Sequence, residues 1–199
     1  MDAFQKVLDL IPEASYDLIG RLLPGGIAVA SLTSFYSIDV YGFTIDSASG
    51  FLEVAIFLAA SYAAGLAIST LAHPLYWLVW PFVYWFLTDA ATKTLRESLN
   101  KASGSQSFQL QWNGPLNASF VLDRAHDLIK RKDSTQGLVV TKLSAEVSLI
   151  YGLSIATGMY AFLHSAQLWA IPAALLVVGF LRSIRLWQRH ASILQAVTS

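Results

Sequence analysis

The 199-residue chain contains no cysteine. Disulfides, thiolate nucleophiles and cysteine-ligated zinc or iron–sulfur centres are therefore excluded. Charge is scarce too: 13% of residues are Asp, Glu, Lys or Arg, where soluble domains carry about 25%. No Lys or Arg occurs from Ser31 to Thr92, or from Leu143 to Leu181. The sequence has no Walker loop, dinucleotide fingerprint, HExxH or GxSxG motif. Its opening, MDAFQKVLDLIPEASYD, is acidic where a secretory signal has a basic n-region, so no signal is expected, and neither end carries a lipidation motif. The four histidines, His73, His126, His164 and His190, are scattered. They make a poor metal or acid–base set, and neither a cofactor nor an enzymatic activity is expected.

What is present is apolar. Hydrophobic residues make up 55% of the chain, and four stretches reach the roughly 20 residues a helix needs to cross a hydrocarbon core. They run over about 18–37, 51–72, 143–163 and 168–186. Arg21 and Pro24-Gly25-Gly26 fall in the opening turns of the first. They read as interfacial, with Arg21 reaching outward by its aliphatic stem. Eight cations crowd Lys93–Lys142, and Arg182, Arg185 and Arg189 follow the last stretch. The positive-inside rule then puts both termini and residues 89–142 in the cytoplasm, with the short connections 38–50 and 164–167 outside. The expected fold is an all-α membrane protein of four transmembrane helices with both termini cytoplasmic. It divides into residues 1–88, a cytoplasmic cap at 89–142, and residues 143–199 carrying the last two spans and a basic tail.

Residues 73–86, HPLYWLVWPFVYWF, hold seven aromatics and two prolines. Trp and Tyr prefer the headgroup level, and proline breaks long helices. The segment reads as an interfacial half-helix; a kinked continuation of span two is the other reading. Within the cap, 89–102 reads as a polar helix and 119–132 as an amphipathic one closed near Gly137. Between them SGSQSFQLQWNGP alternates like a short strand or a loop. The cap alone is small for an independent core, and burial against a neighbouring copy is expected.

Several groups carry chemistry. Arg124, Lys130 and Arg131, beside Phe108, Trp112 and Phe120, could stack on and charge-pair with a nucleotide or short oligonucleotide. Arg182 and Arg185 could join that ligand site, and with Arg189 they form one stripe at i, i+3, i+7. The competing reading makes these cations anchors to an anionic leaflet. Arg124, His126 and Asp127 read as a solvated helix face rather than a catalytic group, and the Asn117-Ala118-Ser119 sequon falls on the cytoplasmic side. Small residues recur at helical spacing: Gly26, Ala30 and Ser34; Ser61, Gly65 and Ser69; Ser154 and Gly158. Such faces serve close helix packing or line a narrow conduit. Glu53 and Glu146 stand in the opening turns of spans two and three, where a carboxylate must meet protein, headgroups or water.

The segments SYDLIGRLLPG, SYAAGLAIS, FVLDRAHDLIKRK and LSAEVSLIYG, in that order, resemble small multi-span membrane proteins of bacterial anti-phage defence. Transmembrane effectors of the Hailong type are the nearest in kind, and the Kiwa membrane subunit is a second candidate. The resemblance implies a homo-oligomeric ion channel, a tetramer by analogy, gated through its cap by a nucleotide-type ligand and acting by membrane depolarisation. The alternative is a non-conducting membrane sensor or scaffold that recruits a soluble, operon-encoded cytoplasmic partner.

Overall fold

The computed structural model describes residues 2–36, 48–86, 89–102 and 118–198. They form six α-helices: α1 (Asp2–Phe35), α2 (Ala48–Phe86), α3 (Asp89–Ala102), α4 (Ala118–Lys132), α5 (Ser134–His164) and α6 (Ala170–Thr198). A single 3-10 turn, Ala166–Trp169, joins the last two. The described residues contain no strand, and 103–115, where a strand or loop is expected, lies outside them. Four helices, α1, α2, α5 and α6, are long and apolar enough to cross a bilayer. This matches the four spans read from sequence and is compatible with a multi-pass membrane protein.

Residues 73–86 are not a separate half-helix. They are the last turns of α2, which runs unbroken through Pro74 and Pro81. Each proline removes one amide donor, and apolar helices tolerate that where neighbouring groups re-satisfy the freed carbonyl. The side chains of Tyr76, Trp77, Trp80, Tyr84 and Trp85 lie outside the described residues. Gly137 does not close a helix either. The break comes at Asp133, whose carboxylate accepts the Gln136 amide at 3.1 Å and so caps α5. Gly137 lies in the first turn of α5, where a Cβ would stand 2.9 Å from the Lys130 Cα. The glycine lets α4 fold back against α5.

The chain forms two compact units, Met1–Pro74 with Ser148–Gly179, and Leu75–Val147 with Phe180–Ser199. Helices α2, α5 and α6 each contribute to both. In the first unit α1 and α2 meet backbone to backbone. A methyl group on Gly25 would overlap the Ser61 carbonyl, and one on Gly65 would overlap that of Arg21. Ala28, Ile68 and Ala156 fill the space beside this crossing, with Ile27, Ile155 and Met159 packed on them. Ser154 Oγ donates to the Pro172 carbonyl at 3.0 Å and ties α5 to α6. Pro172 lacks an amide donor, but its carbonyl remains a full acceptor.

The second unit is built from larger pieces. α4 buries Val121, Leu122, Ala125 and Ile129, one stripe at helical spacing, and exposes Asp123, Arg124, Asp127 and Lys130. Leu95 and Leu99 of α3 are buried likewise. The end of α6, a basic tail by sequence, supplies Leu186, Trp187 and Leu194, all but fully buried. The cap's core is thus completed by the same chain.

Candidate functional site

The sequence-predicted residues separate into three groups. Among the small-residue faces, Ser61, Gly65 and Ser154 are buried in helix contacts of the first unit. The tightest contact on α1 is made by Gly25; its neighbour Gly26 also packs on α2, with a Cβ position 3.7 Å from Ser61 Oγ, ordinary van der Waals distance. Ala30 borders a small apolar cavity of about 280 Å³ with Thr157 and Tyr160. Gly158 faces Pro172, Ser69 donates to its own helix at Leu66, and the exposed Ser34 meets His164 Nε2 at 3.2 Å. Arg21 does not reach outward. Its guanidinium donates to the Tyr62 hydroxyl at 3.0 Å and lies 5.6 Å from that ring's centre, a cation–π contact with the neighbouring span.

The second group is the basic–aromatic patch. Arg124, Lys130 and Arg131 are exposed on α4. Phe108, Trp112 and the side chain of Phe120 lie outside the described residues. Lys130, Arg131 and Lys132 occupy the last turn of α4, where cations complement the helix dipole.

The third group is a groove in the second unit, between the first turns of α5 and the continuation of α6, with a volume of about 460 Å³. Its floor is Val139, Leu143 and Val147, spaced i, i+4, i+8 along α5. Its walls carry Lys142 and Glu146 from α5 and Arg182, Arg185 and Arg189 from α6. Glu146 Oε2 pairs with Arg182 Nη1 at 3.5 Å. The guanidinium groups of Arg185 and Arg189 make no hydrogen bond or ion pair among the described residues. Four cations thus face one carboxylate, and no α4 residue borders the groove. The stripe on α6 was legible in the sequence. Lys142 and Glu146 were not, because α5 begins at Ser134 and carries them as an i, i+4 pair on the same side as the floor.

Beyond the fourth span, past Arg189, the His190 ring is fully buried and lies 5.8 Å from that of His126. His190 Nδ1 contacts the Leu186 carbonyl at 2.8 Å. A carbonyl only accepts, so this nitrogen carries the proton. Nε2 finds no hydrogen-bond partner among the described residues. Burial lowers the His190 pKa to about 4, partly offset by the bond to Leu186 and reinforced by the proximity of His126. His126 Nε2 lies 3.2 Å from Thr141 Oγ1, which in turn donates to the Gly137 carbonyl. The pair links α4, α5 and α6 and reads as packing. No group of three or more metal-ligating side chains exists among the described residues.

No protein family, curated protein or solved structure matches the chain. What can be said of its work rests on its own geometry.

Proposed function

We propose that the protein is a homo-oligomeric, channel-type membrane effector, controlled through its cytoplasmic cap by a nucleotide-type ligand bound at the α4 cations. The observation that carries this reading is the outward face of α2. Glu53, Ala60, Ala63, Ala67 and Thr70 are all exposed and follow one another at spacings of seven, three, four and three. Small residues in such a stripe let a second helix approach closely. A carboxylate at the bilayer centre costs about 3 kcal/mol; Glu53, in the opening turn of span two, bears less, and a partner subunit, a water path or headgroups would satisfy it. The intrachain faces, by contrast, are already occupied by Gly25, Ser61, Gly65 and Ser154, so a conduit belongs between copies along α2.

Control through the cap is supported by continuity. α5 and α6 have 31 and 29 residues, where about 20 suffice to span. A ligand at the cap then biases the spans through unbroken helices, provided it binds the open and closed states unequally. In bacterial defence such an opening would depolarise the inner membrane, as the sequence resemblance implies. The test is conductance of the purified chain in a planar bilayer. Discrete steps are expected, with cation current reduced in Glu53→Gln. Well-inserted protein that stays silent with nucleotides and host extract sinks the channel. The second reading, a non-conducting scaffold, is favoured by the mixed-sign outer face of α4, where Asp123, Arg124, Asp127 and Arg131 are exposed, a surface suited to a soluble partner.

A further inference from the structure

Independently of whether the protein conducts, we infer that the α5–α6 groove is a binding site for the phosphate of an anionic phospholipid headgroup. Three observations converge. Charge is the first: Arg185 and Arg189 are uncompensated among the described residues, while Arg182 is already paired with Glu146 at 3.5 Å. Guanidinium groups one turn apart present forked donors that match phosphate oxygens.

Level along the helices is the second. The sequence from Leu143 to Leu181 has no cation, and the groove's Lys142 and Arg182 are the residues that flank that stretch on either side. The two helices therefore bring their first cations to one site at the edge of the apolar region, where phosphates of a bilayer reside. Basic pockets between spans on the cytoplasmic side suit anionic headgroups.

Shape is the third. The floor of Val139, Leu143 and Val147 is apolar. A free inorganic phosphate gains nothing from it, whereas the glycerol and first acyl carbons of a lipid would cover it. The groove also lacks, among its lining residues, any aromatic on which a base could stack. This separates it from the α4 patch, to which the nucleotide-type ligand is assigned. The groove would then hold the ends of spans three and four at a fixed depth.

The experiment is thermal unfolding of the full chain in neutral detergent, titrated with dihexanoyl phosphatidylglycerol, dihexanoyl phosphatidylcholine, ATP and inorganic phosphate. Phosphatidylglycerol is expected to raise the melting temperature by several degrees, phosphatidylcholine and inorganic phosphate to produce no shift, and any shift with ATP to come from the α4 patch and so to persist when the groove arginines are changed. The Arg185→Gln/Arg189→Gln variant should abolish the shift while melting within a degree or two of the parent without lipid, since neither guanidinium has a partner to lose among the described residues. Lys130→Gln/Arg131→Gln should retain the shift. Equal shifts with phosphatidylcholine overturn the site. So does a phosphatidylglycerol shift that survives the double arginine change. A shift produced by ATP or phosphate and lost in that variant assigns the groove to a soluble phosphate and overturns the lipid. Should the double variant fail to fold, Arg189→Lys, which keeps charge but loses the fork, is expected to weaken the phosphatidylglycerol response several-fold; an unchanged response rejects the guanidinium role.

Discussion

The two units make their closest contacts with different kinds of residue. In the first, the closest contacts use glycine and serine, while Leu52, Ile56, Leu58, Phe162 and Val177 face outward. In the second, Trp187, Leu95, Leu99, Ile129 and Leu194 are inside, and Lys93, Glu97, Lys130 and Arg131 are outside. In water the first arrangement wastes the hydrophobic effect. In lipid it costs nothing to expose leucine, and helices associate by close backbone approach instead. In the second, α3 and α4 follow the ordinary rule of an aqueous core, while Leu78, Phe82 and Phe86 at the end of α2 stay exposed. One chain thus carries two solvents' worth of design, and three of its helices contribute to both.

The sharpest way to break this comparison is at the glycine crossing. Gly65→Leu puts a side chain where even a methyl group meets the Arg21 carbonyl. Backbone cannot yield as a side-chain end does, so a loss of about 3 kcal/mol or more is expected. It would be read as loss of monodisperse protein and a lowered melting temperature in detergent. Next comes Leu58→Lys. Leu58 is 48% exposed; on a watery surface the change would be nearly neutral, but facing lipid it should cost about 3 kcal/mol of span insertion. An insertion assay of span two that shows no deficit would remove the contrast between the units.

A smaller effect sharpens the aqueous side. His190 has a folded pKa of about 4 against about 6.5 when unfolded. Above pH 6.5 both states are neutral and nothing is gained or lost. As pH falls from 6.5 toward 4, the unfolded chain takes up a proton that the folded one refuses. Stability should therefore decline by about 2 kcal/mol by pH 5. Melting temperatures across that window test it, and the slope should flatten in His190→Leu.

Much of the fold was written in the sequence, for reasons that can be named. Four apolar runs of about 20 residues leave few alternatives, and four spans follow. The period of α4, with Val121, Leu122, Ala125 and Ile129 on one side, gave its helix and its buried face. Three features were not legible. Pro74 and Pro81 signal a break by local rules, yet α2 continues through both; apolar helices tolerate proline where neighbouring groups re-satisfy the freed carbonyl. Gly25, which makes the tightest contact with α2, lies off the i, i+4, i+8 series of Gly26, Ala30 and Ser34, so spacing alone did not single it out. Lys142 and Glu146 fell at the edge of a span counted from Leu143, and only the early start of α5 at Ser134 shows that they share a groove with Arg182, Arg185 and Arg189. The candidate site was therefore half visible, as a stripe on α6 without its opposing wall.

The link between α5 and α6 has a bearing on how the protein is made. Only Ser165 and the turn Ala166–Trp169 separate the two helices, and the Ser165 hydroxyl accepts the Gln167 amide at 3.3 Å to start that turn. In the proposed orientation this tip must cross the membrane during synthesis. It carries no lysine or arginine, and its backbone is already largely folded on itself. The last two spans can thus enter from the ribosome as one closed hairpin, with a tip short enough to need no translocation machinery of its own.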